Sequence, residues 1–346
     1  MTNMGNMDVL AEIEKHADEI LHVCSYHRRD FELAVVRSRP HHIQLVQASL
    51  QAPFEASSTA EREIMDRLPT ELVSIILREL DVRSFFSFRQ VSRRARVLAT
   101  GLWEYQLVSK YGLEGLRGLL RAELADCFTI DDLYQALLKD KCSTCAAFGG
   151  LLFLFTLERT CFSCLQSSAK YRVLALTTFG KLARVSRERV NELSGASLRT
   201  VPGLYSILGG PPGRRPKHLV YARKGTKALM NMKSAGASAI LRTHEVPVSY
   251  RFMAATAHPW YSLETAQLER GVSCKGCHVR LEAGDCVMGV RDTAFSSQGF
   301  LSHFSQCDEA QVLWAQSEGG TRPVDEPEFT RRGGWLSQLG SDGLPA

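Results

Sequence analysis

Nowhere in these 346 residues do eighteen apolar side chains run together, so no segment is expected to cross a membrane as a helix. The first stretch, MTNMGNMDVLAEIEKHADEIL, lacks a basic stub ahead of a continuous apolar core, and Asp8, Glu12 and Glu14 interrupt it. Secretion is therefore not expected, and an intracellular address, cytoplasmic or nuclear, is. There is no glycine-rich phosphate loop ending in Lys and Ser or Thr, and no His-Glu-x-x-His. GGPPGRRPK, from Gly209, is too rich in proline to hold a nucleotide and reads as an exposed basic turn. No Ser-His-Asp or Cys-His grouping is legible, and His16, His22, His27, His41 and His42 read as surface residues, so catalysis by the chain itself is not expected. Apolar residues at 45% and charged residues at 23% fit an ordinary globular chain, long enough for two or three domains.

Acidic residues are scarce in one place. Between Lys170 and Arg251 three Glu and no Asp stand against sixteen Lys and Arg, a net charge of +13. The whole chain carries +5, so the remainder carries −8, and the middle is where an acidic partner would land.

Val9, Leu10, Ile13, Ala17, Ile20, Leu21 and Cys24 recur at helical spacing and predict an amphipathic helix over residues 8–24. DFELAVVRSRPHHIQLVQASL reads as two short extended runs broken at Pro40, and QAPFEASSTAERE as a linker, with a boundary near residue 60. Pro69 then starts a helix carrying Leu72, Ile75, Ile76, Leu77 and Leu80. Asp81 breaks it and can cap a second helix with Phe85, Phe86, Phe88 and Val91, while Ala95, Val97 and Leu98 mark a third. A unit of about forty residues is usually too small to be stable on its own core, so these large side chains are expected to close against a neighbour.

Ten cysteines in a long chain with no leader expected point to metal before disulfides. Cys142 and Cys145, then Cys161 and Cys164, form two Cys-x-x-Cys knuckles joined by a short apolar ribbon, GGLLFLFTLE. This spacing suits a tetrahedral all-thiolate site holding structural zinc; paired disulfides, an iron–sulfur cluster and four buried thiols are the competing readings. Cys274 and Cys277 make a third knuckle. His303 and Cys307, four apart on a helix expected from about Gly299 to Gln316, would complete a second zinc site of three thiolates and one imidazole, with His278 or Cys286 as alternative ligands. About a hundred residues separate Cys164 from Cys274, so the eight ligands are not interleaved in one compact stretch as a RING ligase requires.

LPTELVSIILREL, followed by SFFSFRQVSRRARVLA and Trp103, resembles an F-box. Leu68, Pro69, Glu71, Leu72, Ile76, Leu80, Val91, Ser92, Arg93 and Trp103 occupy the positions that carry the likeness. The resemblance implies docking on a Skp-type adaptor of a cullin–RING (SCF-type) ubiquitin ligase, with Leu68, Pro69, Leu72, Ile75, Ile76, Leu80 and Val91 as the adaptor-binding residues. The remainder of the chain would then select a protein substrate, acidic or phosphorylated, with Arg214, Arg215 and Lys217 on the basic turn and Arg184, Arg187 and Arg189 as candidate contacts. The C-terminal pattern, Cys-x-x-Cys and then His-x-x-x-Cys, resembles more loosely a group of fungal F-box proteins.

The expected architecture is mixed α+β, a helical F-box module followed by a zinc-stabilised α/β recognition region. Residues 1–60 form an N-terminal helical and extended segment with linker, 64–110 the F-box, 111–260 linking helices, four-cysteine ribbon and basic region, and 261–346 the C-terminal zinc-binding region. The expected function is that of a non-catalytic substrate-recognition subunit. The alternatives are a zinc-ribbon nucleic-acid-binding regulator, which the basic middle supports but the lack of an Arg- and Lys-dense helix or a recognisable nucleic-acid-binding motif weakens, and an F-box protein acting with the adaptor outside the cullin complex.

Overall fold

The computed structural model describes residues 11–53, 68–207, 212–232, 235–242, 246–284 and 288–334. Most of the expected linker and Cys286 lie outside the described residues, as do the first residues of the expected N-terminal helix. Helix α1 (Ala17–Cys24) buries Ile20, Val23 and Cys24 along one side, as its apolar spacing requires, and residues 11–15 are helical before it.

The two extended runs expected around Pro40 are helices instead. A short α2 (Arg29–Leu33) is followed by α3 (Pro40–Gln51), where Pro40 occupies the first turn, the one place in a helix where its missing N–H costs nothing. Only the stretch between them is extended: the Val36 amide donates to the Ala255 carbonyl at 2.8 Å. Helix α3 buries none of its side chains, so its apolar residues never signalled it. Its last turn is held through its carbonyls: Arg89 donates to Ser49 O and Leu50 O at 2.9 Å, and the Tyr105 hydroxyl donates to Leu50 O at 2.9 Å.

Helices α4 (Thr70–Glu79), α5 (Val82–Val91) and α6 (Arg93–Gly101) follow, with α7 (Trp103–Tyr111), α8 (Leu113–Arg121) and α9 (Ile130–Leu137) packed behind them. Asp81 caps α5, accepting from the Ser84 amide at 2.9 Å, and Ser92 caps α6. Strands β2 (Leu151–Phe153) and β3 (Glu158–Thr160) pair antiparallel, and β7 (Ala255–Ala257) adds to the other edge of β2. One apolar core runs without a break from Val73, Leu77 and Phe85 through Tyr105 and Leu116 to Leu152 and Phe153. The helical unit therefore closes on the rest of the chain, as its size demanded.

A second small sheet, order β4-β6-β5 (Val173–Ala175, His218–Tyr221, Ser197–Arg199), carries four helices, α11 (Leu176–Ala183), α12 (Arg187–Ser194), α13 (Ala222–Asn231) and α14 (Ala235–Arg242), and this is the basic middle. α10 (Phe162–Ser167) precedes it and α15 (Ser249–Phe252) returns the chain to β7. The C-terminal part holds the β8–β9 ribbon (Trp260–Tyr261, Leu268–Glu269), β10 (Ser273–Cys274) and helices α16 (Lys275–Glu282), α17 (Met288–Arg291), α18 (Ser297–Phe304), α19 (Asp308–Gln316) and α20 (Glu328–Arg331). β10 pairs with β1 (Ser25–Tyr26), so the first described residues complete the last structural unit. The mixed helix-and-sheet class expected from the sequence is the class observed.

Candidate metal centres and an exposed apolar helix

Cys142, Cys145, Cys161 and Cys164 come together at the end of the β2–β3 ribbon, and their four sulfurs lie within 4.8 Å of one another. The first knuckle is a tight turn: the Cys142 amide donates to Ala147 O at 2.7 Å, and Ala146 takes a left-handed conformation at φ 61° to close it. The Ser143 amide donates to Arg159 O at 2.9 Å, which ties this turn to β3. Cys161 caps α10, its sulfur accepting from the Cys164 amide at 3.4 Å. Cys145 and Cys161 sulfurs stand 3.6 Å apart. A disulfide would need about 2.0 Å. Four ligands about 2.3 Å from one metal stand about 3.8 Å apart, so the spacing fits a tetrahedral thiolate site.

The second group is Cys274, Cys277, His303 and Cys307, again within 4.8 Å. Cys274 and Cys307 sulfurs are 3.8 Å apart, Cys277 and Cys307 4.0 Å, and Cys277 Sγ lies 3.3 Å from His303 Nε2. The knuckle repeats the geometry of the first: Cys274 caps α16 and accepts from the Cys277 amide at 3.4 Å. The single helix expected from Gly299 to Gln316 is two. α18 ends at Phe304 and α19 starts at Asp308, with Cys307 extended between them as N-cap. The break lets the sulfur turn back toward the knuckle while His303 stays in the last turn of α18. Phe295 stacks on the His303 ring at 4.7 Å and fixes its plane. His278 points away, with Nε2 3.2 Å from Glu282 and its ring stacked on Phe329 at 4.4 Å, so it is not in the cluster.

Two features of this group have weak sequence signals. Gly276 sits inside the knuckle where a Cβ would come 2.4 Å from the Ala310 amide nitrogen, so only glycine lets α16 approach α19. Arg28, 3% exposed, forks onto Asp30 at 2.6 and 2.8 Å and reaches Asp292 at 3.0 Å, with its guanidinium 3.8 Å from the Phe31 ring. His27, expected at the surface, is partly buried 3.1 Å from Glu32, and His16 lies against Trp314; His22, His41 and His42 are exposed.

Helix α4 has two apolar faces. Val73 and Leu77 fill the core, while Leu72, Ile75 and Ile76 point outward with Leu68 ahead of them, each 46–54% exposed. Val91 is 75% and Trp103 53% exposed, Pro69 is exposed and Leu80 half-buried. Arg214, Arg215 and Lys217 are exposed, as are Arg184, Arg187 and Arg189, but their contacts differ: Lys217 Nζ lies over the Tyr250 ring, whereas Arg189 pairs with Glu192 and reaches the Met232 sulfur at 3.8 Å.

The F-box domain family matches residues 65–107, the stretch from just before Leu68 to α7. The chain carries an F-box domain, which supports a role in binding the adaptor of an SCF-type ligase. No curated protein and no solved structure matches the chain. Among the described residues no helix is long and apolar enough to cross a membrane.

Proposed function

We propose that the chain is a substrate-recognition subunit of an SCF-type ubiquitin ligase, docking on a Skp-type adaptor through α4 and holding a protein substrate with the region beyond residue 110. The observation that carries this reading is the outward row Leu68, Leu72, Ile75 and Ile76 on a helix whose opposite face is already filled. Burying such a side chain contributes about 1.5 to 3 kcal/mol before the costs of association, so the row is poised for a partner and not for this chain's own core. Leu80 and Val91 would extend the contact.

Both four-ligand groups hold structural zinc in this reading. Three or four thiolates in a closed set leave no position for a substrate, so the metal fixes turns and does no chemistry. The chain recruits and does not catalyse. The basic middle, with Arg214, Arg215 and Lys217 on their turn, Arg184 just past the end of α11 and Arg187 and Arg189 on α12, supplies the field that draws an acidic or phosphorylated substrate.

Capture by the adaptor tests the reading. Leu72→Asp with Ile76→Asp should abolish co-purification with the adaptor and leave the bound zinc unchanged, because both residues are exposed. Adaptor binding that survives in the folded double variant would refute it.

A further inference from the structure

Where α13, α14 and the turn from Ala169 to Arg172 meet, the surface is cut by a groove of about 300 Å³ whose walls are almost wholly carbon. Met230, Ile240 and Leu241 line it, and Met230 and Leu241 are about half exposed, as is Met232 just beyond. Three cations, Arg172, Arg223 and Lys227, stand around it, with no carboxylate among the described residues that line it. Arg172 is anchored by donating to the Leu241 carbonyl at 3.1 Å.

The outward face of α13 is set by its inward one. Ala222, Gly225 and Leu229 are buried, and Gly225 lets the helix press on the Phe179 ring, which a Cβ would meet at 2.5 Å. Arg223, Lys227 and Met230 are thereby aligned on the exposed side along the groove, with the buried Thr226 in its floor. Arg223 and Lys227 are like charges four apart, an arrangement that costs the isolated helix a few tenths of a kcal/mol. A carboxylate set between them would remove that cost. Carbon walls with a cationic rim match a ligand that alternates apolar and acidic side chains. They do not match a single-stranded nucleic acid, whose bases stack on aromatic platforms, since none is among the described residues that line the groove.

We propose that the groove binds an acidic amphipathic segment of a partner protein, its apolar side chains against Met230, Ile240 and Leu241 and its Asp and Glu carboxylates on Arg223 and Lys227. The segment is the contact by which a substrate would be held, and in that respect the inference rests on the receptor reading. It places recognition on α13 and α14, with the Arg214 turn supplying only field.

A phage-displayed random peptide library panned on the full chain, co-purified with its adaptor, tests the site. Enriched peptides should interleave Asp or Glu with Leu, Ile, Met or Phe. A synthetic enriched peptide should bind the full chain at least tenfold more weakly after Arg223→Glu with Lys227→Glu, and severalfold more weakly after Met230→Ser; all three positions are exposed. Replacing the peptide's acids with Asn and Gln should cost as much as the double charge reversal. Peptides without acids, peptides that bind the folded double variant equally well, or displacement by duplex DNA at equal concentration would each overturn the proposal. The Leu72→Asp, Ile76→Asp variant separates the two readings: it should lose the adaptor and keep the peptide, so failure of either interaction is read independently.

Discussion

The two four-ligand groups are built from the same part, a knuckle whose first sulfur accepts the amide three residues on, yet they are held by different means. The first is local: Cys142 to Cys164 is one continuous ribbon, and its neighbours along the chain make every turn it needs. The second is assembled. Its knuckle starts α16, its histidine ends α18, its last cysteine starts α19, and α1 and β1 from the other end of the chain pack against it, with Cys24 donating to Ala310 O at 3.3 Å. The turns of the first group are made within residues 142–164, while β7 and the Arg159 bond to Pro259 O at 3.0 Å brace the ribbon from outside. The second also depends on packing among residues outside the four-residue set.

Removing a metal ligand should produce the largest effect and the sharpest contrast. Metal analysis should find about two zinc ions per chain, and binding to a closed site is folding free energy, about 10 to 16 kcal/mol apparent in small zinc-dependent peptides. Cys161→Ser should drop the content to one ion and expose the β2–β3 ribbon to proteolysis while β10 and α16 stay protected. His303→Ala should remove the other ion and leave the ribbon intact. Retention of both ions in His303→Ala would show that the second group is not the ligand set.

Next in size is the brace of Arg28. Taking away Arg28 leaves the buried Asp30 uncompensated and Asp292 with Arg291 alone, at about 3 to 5 kcal/mol. Arg28→Ala should therefore weaken the C-terminal unit and lower its affinity for zinc without changing the first site, although Arg28 lies far from either cysteine set in sequence. Equal loss at both sites in a chelator titration would mean that the two are one cooperative unit. Gly276→Ala should act on the same side of the comparison at about 1 to 3 kcal/mol, since a methyl group cannot fit against the Ala310 backbone.

How much of this was legible follows from the same contrast. The F-box helices, the Asp81 cap and the four-cysteine ribbon are written in short-range pattern, and pattern finds them. That Cys274, Cys277, His303 and Cys307 gather was also legible from residue type and spacing, but the geometry was not. A helix passing unbroken through Cys307 was the natural reading of Phe300, Phe304 and Leu313, and the break at 305–307 serves a tertiary demand. Helix α3 went unread because it buries no side chain and is anchored by carbonyls on Arg89 and Tyr105, which no local periodicity records. Arg28 gave no signal that set it apart from its charged neighbours Arg29, Asp30 and Glu32. The groove on α13 escaped because the scarcity of acids marks the whole basic middle, and no local pattern sets Ile240 and Leu241 beside Arg223, Lys227 and Met230.

The smallest predicted effect lies outside both centres and serves as their control. Asp81 caps α5 by accepting from the Ser84 amide at 2.9 Å and hydroxyl at 2.6 Å. Slight burial pulls its carboxyl upward, and the Ser84 hydroxyl and amides pull it further down, so the folded protein holds it below the usual carboxylate range. A carboxyl depressed on folding adds stability that is present above its unfolded pKa of about 4 and is lost as pH falls through the folded value. Asp81→Ala should cost about 1 kcal/mol at pH 7 by urea denaturation, and the difference from wild type should shrink below about pH 4. Asp81→Asn keeps a good cap without the charge, so at pH 7 it should retain most of the stability, and the acid-dependent part should vanish. Neither substitution should change zinc content at either site. A shift in metal affinity with Asp81→Ala would show that the single apolar core, which runs from α5 into the β2–β3 ribbon, carries strain from the F-box to the first metal site, and the two would then have to be treated as one structural element.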